Sequence, residues 1–386
     1  MKIKIFETTL RDGEQIPNCT LEHFYKVEIA RQFEKLGVDV IEAGFPISSK
    51  SNFQSVVEIS HAVSTPIICV LARSMNKDIE IAAKALEAAK QSRIHLGIGT
   101  SNCHIYYKFN SMQEKIIEQA VESVKYAKRF VEEVEFYAED AGRTKNEFLA
   151  LVCEEVIKAG ATILNLPDTT GYCLPKAYGE KIRYIKENVK GIEKAIISTH
   201  CHNDLGLATA NSFEGIINGA RQVECTFTGL GERAGNTALE EIVMIFNEHS
   251  YLGFHTNIKT ELLCTTSEFI TKCTGITVQA TKAIVGDNAF SHSSGVHQNG
   301  LFKKSKNYEG LELKNIGIKK SCIMLTARSG RSALVHYYKT LGYVLSKESL
   351  YPLYNLFIKY SDKKKKIKYE DIKIMLKIAF KISTDI

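Results

Sequence analysis

The chain of 386 residues lacks several features that would place a protein in a class at once. It contains no tryptophan, so the core must rest on aliphatic side chains and 18 phenylalanines. No run approaches the roughly 20 apolar residues that a membrane-spanning helix needs. The opening segment, MKIKIFETTL, has neither the apolar stretch nor the cleavage site of a secretory signal peptide. These absences predict a cytoplasmic protein that does not interact with membranes.

The ten cysteines do not follow a zinc-binding or disulfide pattern. None forms a CxxC pair, and several lie in apolar runs such as IICVLA and QVECTFTG. Cysteines in such runs are typically reduced and buried. We therefore expect free thiols.

Positive charge is concentrated near the C-terminal end. The net charge is +6, and residues 361–386 hold eight lysines against four acidic residues. The lysine run 363–366 could contact nucleic acid or a nucleotide phosphate. However, apolar residues at helical spacing follow it, which favours a solvated helix start. A nucleic-acid partner is not expected.

Two periodicities alternate over the first 250 residues. Eight short, β-branched apolar runs are separated by longer amphipathic stretches, at the spacing of one βα unit. The runs are IKIFETTL, VDVIEAGF, PIICVLA, RIHLGIG, EVEFYAED, TILNLPDT, AIISTHCHND and QVECTFTG. This pattern predicts a (β/α)₈ TIM barrel over residues 1–275. A doubly wound sheet is the alternative, but its GxGxxG dinucleotide fingerprint is missing.

The pattern changes after residue 275. Residues 276–325 are loop-like and glycine-containing, with the segment SHSSGVHQNG. Helical periodicity returns over residues 326–386, first in ARSGRSALVHYYKTLGY and then in a final basic stretch. The sequence thus predicts a loop-rich linker subdomain and then a small helical C-terminal subdomain.

Polar residues collect at the ends of six of the eight predicted strands. They are Arg11–Asp12, Glu42, Glu139–Asp140, Asp168–Thr169, the segment 200–202 and the loop 229–236. In TIM barrels the carboxyl ends of the strands form the active-site face. Polar residues with only structural roles have no reason to gather there, so the sequence predicts an active site at this face.

The strongest single signal is the segment His200-Cys201-His202. Residues i and i+2 of a strand face the same side, so both imidazoles can enter one cavity while Cys201 points away. With Asp12 they suit a divalent metal such as Mn, Mg, Zn or Co, and Asn236 is a plausible fourth donor. The alternative is two histidines that are satisfied by ordinary hydrogen bonds. Two imidazoles and one carboxylate leave coordination positions open, as in catalytic sites.

A 2-oxo acid could fill those positions with its carboxylate and keto oxygens, and a metal would polarise the carbonyl. Arg11 could bind the carboxylate or stabilise a developing alkoxide. An ion pair with Glu42 or Glu139 is its alternative role. The loop GLGERAGN, 229–236, is either an anion site built from backbone N–H groups or a tight turn, and its spacing leaves both open.

Several segments together resemble the family of 2-isopropylmalate, homocitrate and citramalate synthases. The group is a set of metal-dependent Claisen condensation enzymes and lyases. The matching segments are FETTLRDGEQ, FYAEDAGRT, LPDTTGY, STHCHNDLGLATANS, GLGERAGNTALEE, AFSHSSGVHQNG and LTARSGRSAL. The resemblance therefore covers nearly the whole chain.

The resemblance implies functional residues position by position. The implied metal ligands are Asp12, His200, His202 and Asn236. The implied substrate-binding residues are Arg11, His104, Glu139, Thr169, Gly229, Gly231 and Glu232. Arg11 and Glu139 are also expected to take part in catalysis. In a homodimer, His297 and Tyr308 would reach into the neighbouring subunit's barrel and assist proton transfer.

The implied reaction condenses acetyl-CoA with 3-methyl-2-oxobutanoate and hydrolyses the thioester, giving 2-isopropylmalate and CoA for leucine biosynthesis. The acetyl methyl group must lose a proton to a base, and either His297 or Glu139 could serve. Pyruvate and 2-oxoglutarate are alternative acceptors, and Lys108 could bind the distal carboxylate of the latter. A hydroxyacyl-CoA lyase and a non-catalytic barrel that only binds a metabolite or metal are more distant alternatives.

The sequence also departs from the family pattern. Glu7 stands in place of the usual aspartate, Ser293 in place of a frequent glutamate and Asn299 in place of a frequent aspartate. Too few residues follow LTARSGR for the leucine-sensing domain of full-length relatives. We therefore expect an enzyme that does not respond to leucine.

Overall fold

Parallel strands and helices alternate through residues Met1–Val278, the first of two compact units in this computed structural model. The second unit is Gln279–Ile386. The structure describes residues 1–17, 19, 21–303, 307, 310–318, 322–364, 367 and 369–380.

The strands of the first unit pair in chain order and close into a parallel barrel, because β1 also pairs with β8. Their bounds are β1 (Lys4–Glu7), β2 (Val40–Glu42), β3 (Ile67–Arg73), β4 (Ser92–Gly99), β5 (Glu133–Glu139), β6 (Ile163–Asp168), β7 (Ile196–Cys201) and β8 (Gln222–Cys225). All eight fall within the predicted apolar runs or overlap them. The predicted TIM barrel is confirmed.

One α-helix follows each strand, and a ninth comes after the barrel has closed. The helices are α1 (His23–Leu36), α2 (Lys50–Ala62), α3 (Asn76–Ala85), α4 (Gln113–Ala127), α5 (Asn146–Ala159), α6 (Pro175–Asn188), α7 (Ala208–Ile217), α8 (Leu239–Glu248) and α9 (Leu263–Thr274). Helices α1 and α5 end at Gly37 and Gly160, which adopt left-handed φ angles of 94° and 113°. Glycine is favoured at such helix ends because it has no Cβ to clash.

The interior of the barrel is partly ionic, whereas branched apolar side chains usually dominate this position. Arg93 on β4 is fully buried and donates from one nitrogen to Glu135 Oε2 at 2.8 Å and to Gln222 Oε1 at 2.9 Å. Its other nitrogens donate to Glu133 Oε2 at 2.6 and 2.9 Å. A buried charge needs such partners, so the network ties β4, β5 and β8 together beneath the polar strand ends.

In the second unit, β9 (Ser291–His292) pairs in parallel with β10 (Cys322–Ile323). Its helices are α10 (Gly295–Lys303), α11 (Arg331–Thr340), α12 (Lys347–Ser361) and α13 (Tyr369–Phe380). They enclose a core of Leu325, Ala333, Leu334, Tyr338, Leu353, Phe357, Ile367, Ile372, Met375 and Leu376. The helical C-terminal region is as predicted, and the predicted boundary at residue 325 stays a prediction.

Helix α10 lies in the segment that the sequence pattern indicates as loop. Its first residue, Gly295, donates to the Arg328 carbonyl at 3.0 Å, and a Cβ at Gly295 would lie 2.7 Å from the nitrogen of Gly330. This glycine therefore permits a close backbone approach and does not mark a loop. None of the helices among the described residues is long and apolar enough to cross a membrane.

Candidate active site

Three side chains converge at the carboxyl end of the barrel. Asp12 follows β1, His200 is on β7 and His202 comes just after β7, and all three are buried. His200 Nε2 lies 3.3 Å from Asp12 Oδ2 and 3.3 Å from His202 Nε2. Cys201 lies on the opposite face of the strand, near Tyr178 and Ser212 of the helix layer. The predicted alternation along this strand is therefore correct.

This donor set fits a divalent metal. Ligand atoms bound at 2.0–2.1 Å are separated by about 2.8–3.0 Å in octahedral and about 3.3–3.4 Å in tetrahedral geometry, and both separations at His200 Nε2 are 3.3 Å. Asp12 Oδ1 is buried and has no hydrogen-bond partner within the described ranges. Buried polar atoms without partners are rare in folded proteins, so a cation in this position would satisfy the carboxylate.

Asn236 is placed beside this triad by the loop after β8. It forms an isolated antiparallel bridge with His202, and its amide nitrogen donates to the Leu230 carbonyl at 3.1 Å. Its Oδ1 is buried with no partner in the part of the chain that the structure describes. Asn236 is therefore available as the fourth donor that the sequence predicts.

The glycines of the 229–236 loop are required by its geometry. Gly229, Gly231 and Gly235 have φ angles of 75°, 156° and 89°. A Cβ at Gly231 would also lie 2.2 Å from Asn236 Nδ2. Of the two interpretations left open by the spacing, the tight turn is present; an anion site here stays a prediction.

Arg11 forms the Glu42 ion pair and also faces the triad. Its Nε donates to Glu42 Oε2 at 2.6 Å, and another nitrogen lies 3.1 Å from Asp12 Oδ2. Burial by itself would raise the pKa of Asp12, but the guanidinium of Arg11, with His200, holds it well below its usual range. Burial likewise opposes ionisation of Glu42, yet Arg11 and His95 lower the pKa of that carboxyl to about 2. Both carboxylates are thus ionised beside the proposed ligands.

His202 is held in the form that binds metals. Burial, and then the positive charge of the neighbouring His200, lower the pKa of His202 to about 4. A metal ligand must be a neutral imidazole, so His202 is already in the ligand form near neutral pH. Burial lowers the pKa of His200, but Asp12 and Glu224 outweigh it and raise that pKa to about 10, so a metal would have to displace a proton from His200.

A cavity of about 420 Å³ opens above these residues. Among the residues predicted to bind substrate or metal, Arg11, Asp12, Glu139, Thr169, His200, His202 and Glu232 line it. Apolar contacts come from Leu71, Met75, Ile98, Phe109, Tyr137 and Pro167. The combination of a cation-binding end and an apolar wall suits a small acid with a hydrophobic side chain.

Glu139 is held by the segment that follows β4. Lys108 Nζ donates to both carboxylate oxygens of Glu139 at 2.7 Å, and His104 Nδ1 lies 3.6 Å from Oε2. Burial raises the pKa of Glu139, but His104 and Lys108 outweigh it and lower the pKa overall. His104 and Lys108 bound a single π-helical turn, a distortion that is frequent at functional sites.

The remaining predicted substrate residues are less uniformly placed. Thr169 Oγ1 accepts from the Asp140 backbone at 2.9 Å, and the Thr169 carbonyl accepts from Arg233 at 2.8 Å. Glu232 is 56% exposed at the cavity rim. In contrast, His104, Gly229 and Gly231 are not among the cavity-lining residues, and their contact with substrate stays a prediction.

Sequence reasoning missed two inward-facing residues, His95 and Glu224, which line the same cavity. His95 Nδ1 lies 2.9 Å from Glu42 Oε1, and Glu224 Oε2 lies 3.0 Å from His200 Nδ1. Both sit inside apolar runs, RIHLGIG and QVECTFTG, that indicate buried strands. The signal in the sequence was the presence of an ionisable residue within a predicted buried strand, since such a residue is rarely buried there unless another side chain pairs with it.

Of the two residues predicted to act across a dimer, His297 lies in the second unit. His297 is on α10, and its ring centroid is 6.5 Å from that of His292. Tyr308 lies outside the described residues. Their catalytic role stays a prediction.

Comparison with known proteins gives the family. The protein-family model described as HMGL-like matches residues 2–270, and the family model described as homocitrate synthase post-HMGL domain-like matches residues 284–365. A 2-isopropylmalate synthase of Parabacteroides distasonis is 56% identical over 375 residues, which are 97% of this chain and 75% of that protein. The chain belongs to the 2-isopropylmalate synthase family.

A second family member agrees with this assignment, and one solved structure shares the fold. The 2-isopropylmalate synthase of Dictyoglomus turgidum is 49% identical over 99% of this chain and 76% of that protein. The hydroxymethylglutaryl-CoA lyase of Pseudomonas aeruginosa superimposes with a TM-score of 0.62 at 21% identity, over 72% of this chain and 94% of the lyase. At that identity the lyase supports the fold of this synthase family member and nothing finer.

Proposed function

We propose that this protein condenses acetyl-CoA with 3-methyl-2-oxobutanoate and hydrolyses the thioester, releasing 2-isopropylmalate and CoA. The observation that carries the proposal is the buried triad of Asp12, His200 and His202 beside Arg11 in a cavity with an apolar wall. Membership in the 2-isopropylmalate synthase family supports the same reaction.

A divalent metal held by Asp12, His200 and His202, with Asn236 as a further donor, would supply Lewis-acid polarisation of the keto group. Arg11 binds the carboxylate of the oxo acid and stabilises the oxygen that gains negative charge. Its orientation is fixed beforehand, because Glu42 holds its Nε at 2.6 Å. Preorganised charge of this kind costs no reorganisation during the reaction.

Glu139 is one of two candidates to take the proton from the acetyl methyl group. It lines the cavity and is ionised, so it has a free site for a proton, although His104 and Lys108 lower its pKa and make it a weaker base than an unpaired carboxylate. As that C–H bond breaks, a C–C bond forms to the keto carbon, and the keto oxygen is protonated to a hydroxyl. Water then cleaves the thioester and CoA leaves as a thiol. His297 and Tyr308 of a neighbouring subunit assist these transfers in the homodimer that we propose.

Two cationic side chains of the cavity are already paired with acids, which favours a 2-oxo acid substrate with an apolar side chain. Lys108 is paired with Glu139, and Arg73 is paired with Asp78 through contacts of 2.7 and 3.2 Å. A 2-oxoglutarate distal carboxylate would have to compete for one of these cations. A branched hydrocarbon side chain needs only the apolar wall.

The test is a panel of 3-methyl-2-oxobutanoate, pyruvate and 2-oxoglutarate, with thiol detection of released CoA and with or without a chelator. We expect the branched acid to give the highest kcat/KM and the chelator to abolish turnover. Preference for pyruvate or 2-oxoglutarate would reassign the protein to citramalate or homocitrate synthesis. CoA release that is indifferent to thorough metal removal would contradict the proposed site.

The cytoplasm is the compartment we propose for this reaction. The nine cysteines whose side chains the structure describes are all free, as expected where thiols are kept reduced. Fractionation of cells that express the protein would test this placement.

A further inference from the structure

Glu224 is positioned beside His200 by the register of neighbouring strands. His200 on β7 pairs with Glu224 on β8, so both side chains point into the barrel at the same level. His200 Nδ1 lies 3.0 Å from Glu224 Oε2, and both residues are buried. The contact is close, although it is not well aligned as a hydrogen bond, and neither atom has another partner within the described ranges.

The other nitrogen of the His200 ring, Nε2, lies among the proposed metal ligands. His200 Nε2 faces Asp12 and His202, each at 3.3 Å. The Glu224 carboxylate holds a ring proton on Nδ1, so a cation that takes the place of any proton on Nε2 would find the lone pair of Nε2 directed at it.

Glu224 itself is held from below by a chain of buried polar side chains. Ser198 donates to Glu224 Oε1 at 3.1 Å, and Gln222 Nε2 donates to Ser198 Oγ at 2.9 Å. The same Gln222 amide donates to Glu135 Oε1 at 2.8 Å, and its oxygen accepts from Arg93. The carboxylate of Glu224 therefore has a fixed position even before a metal is bound.

The second histidine of the cluster has no such support. His202 Nδ1 is buried and has no hydrogen-bond partner within the part of the chain that the structure describes. The two imidazoles thus differ, since a carboxylate orients one of them and increases its basicity.

We infer that Glu224 is a positioning residue that fixes the tautomer and orientation of His200 and so sets the affinity of the site for its metal. This inference rests on the metal site of the proposed function.

The test uses the full chain stripped of metal and titrated with Co²⁺ alone, by calorimetry and by the visible absorption of bound cobalt. Glu224→Gln keeps the side-chain volume but removes the charge, and removal of such a partner typically costs about 10- to 100-fold in metal affinity. We expect that loss together with a shifted cobalt spectrum. Glu7→Gln is the control for replacing a buried acid by an amide of the same size, because Glu7 is equally buried, is kept protonated near neutral pH by burial, accepts from Thr9 and Phe227 and contacts no proposed ligand.

We expect Glu7→Gln to bind Co²⁺ within about threefold of the original chain, at the precision of such comparisons. Thermal unfolding of each variant shows whether it is folded. If Glu224→Gln does not fold, Glu224→Asp retains the charge but retracts it by one methylene, and should still weaken binding and shift the spectrum. Wild-type affinity and spectrum in the folded Glu224 variant would overturn the inference, as would an equal loss in Glu7→Gln. Failure of the unmodified chain to bind Co²⁺ would instead overturn the metal site and the inference together.

Discussion

The role of Arg11 can be tested by replacing it with lysine. Arg11→Lys keeps a positive charge at the cavity but removes the planar guanidinium that contacts Glu42 and Asp12 at the same time. An ammonium group on a flexible stem cannot hold those two acids and a substrate carboxylate in one geometry. We therefore expect catalysis to suffer although the net charge of the site is unchanged.

The size of the effect follows from the hydrogen bonds that the substitution removes. A lysine can keep one of the two contacts, so one hydrogen bond to a charged group is lost, at about 1.5–3 kcal/mol. Since 1.36 kcal/mol corresponds to a tenfold change in rate, kcat/KM should fall roughly 10- to 150-fold. A loss confined to KM would indicate binding of the carboxylate alone, whereas a loss in kcat would indicate stabilisation of the developing alkoxide.

The assay is steady-state CoA release with 3-methyl-2-oxobutanoate varied at saturating acetyl-CoA, after the metal content of each variant has been measured. Arg73→Lys is the matched control, because Arg73 also borders the cavity but is 58% exposed and engaged by Asp78. We expect the control to change kcat/KM by less than about threefold. If Arg11→Lys, loaded with metal, were as active as the control, the proposed role of Arg11 would be wrong.

Two further predictions concern assembly and pH. Asp12→Ala and His297→Ala chains, each inactive alone, should recover about a quarter of normal activity when they are coexpressed. Random pairing into C₂ dimers makes half of the dimers heterodimers, and each heterodimer has one intact site of two. If purified heterodimers showed no activity, the proposed sharing of sites between subunits would be wrong. Burial raises the pKa of Glu7 to about 8 from 4.5, so the folded chain binds the extra proton between those values and loses stability as pH rises through them. Glu7→Gln should flatten that dependence in urea unfolding followed at several pH values, and an unchanged slope would show that Glu7 is not the group responsible.

Much of the site could be predicted from local sequence patterns. His200 and His202 are two positions apart on one strand, which predicts that both face the same cavity, because side chains alternate between the two faces of an extended chain. Asp12 comes after an apolar run, Glu139 and Thr169 lie at the ends of two others, and the closed parallel barrel brings the ends of such runs to one face. These predictions use only periodicity and the general properties of the fold.

Other contacts depend on which residues face each other across strands. The choice of Glu42 as the main partner of Arg11, with Lys108 as the partner of Glu139, could not be read from spacing. His95 and Glu224 look like interruptions of buried strands until the register places them against Glu42 and His200. Helix α10 could not be predicted either, because Gly295 suggests a loop in the sequence but in the structure permits a close backbone contact with Gly330.

By itself, the sequence determined the order of strands and helices, the ends of the strands at which polar residues collect and the shared orientation of His200 and His202. Each of these depends on side chains a few positions apart, where the covalent geometry of one strand or helix fixes their relation. The tertiary structure decided which residue pairs with each charged side chain, and it placed Glu224 beside His200. Those relations arise only when neighbouring strands pair in the folded barrel, because that pairing sets the register that aligns residues far apart in the chain.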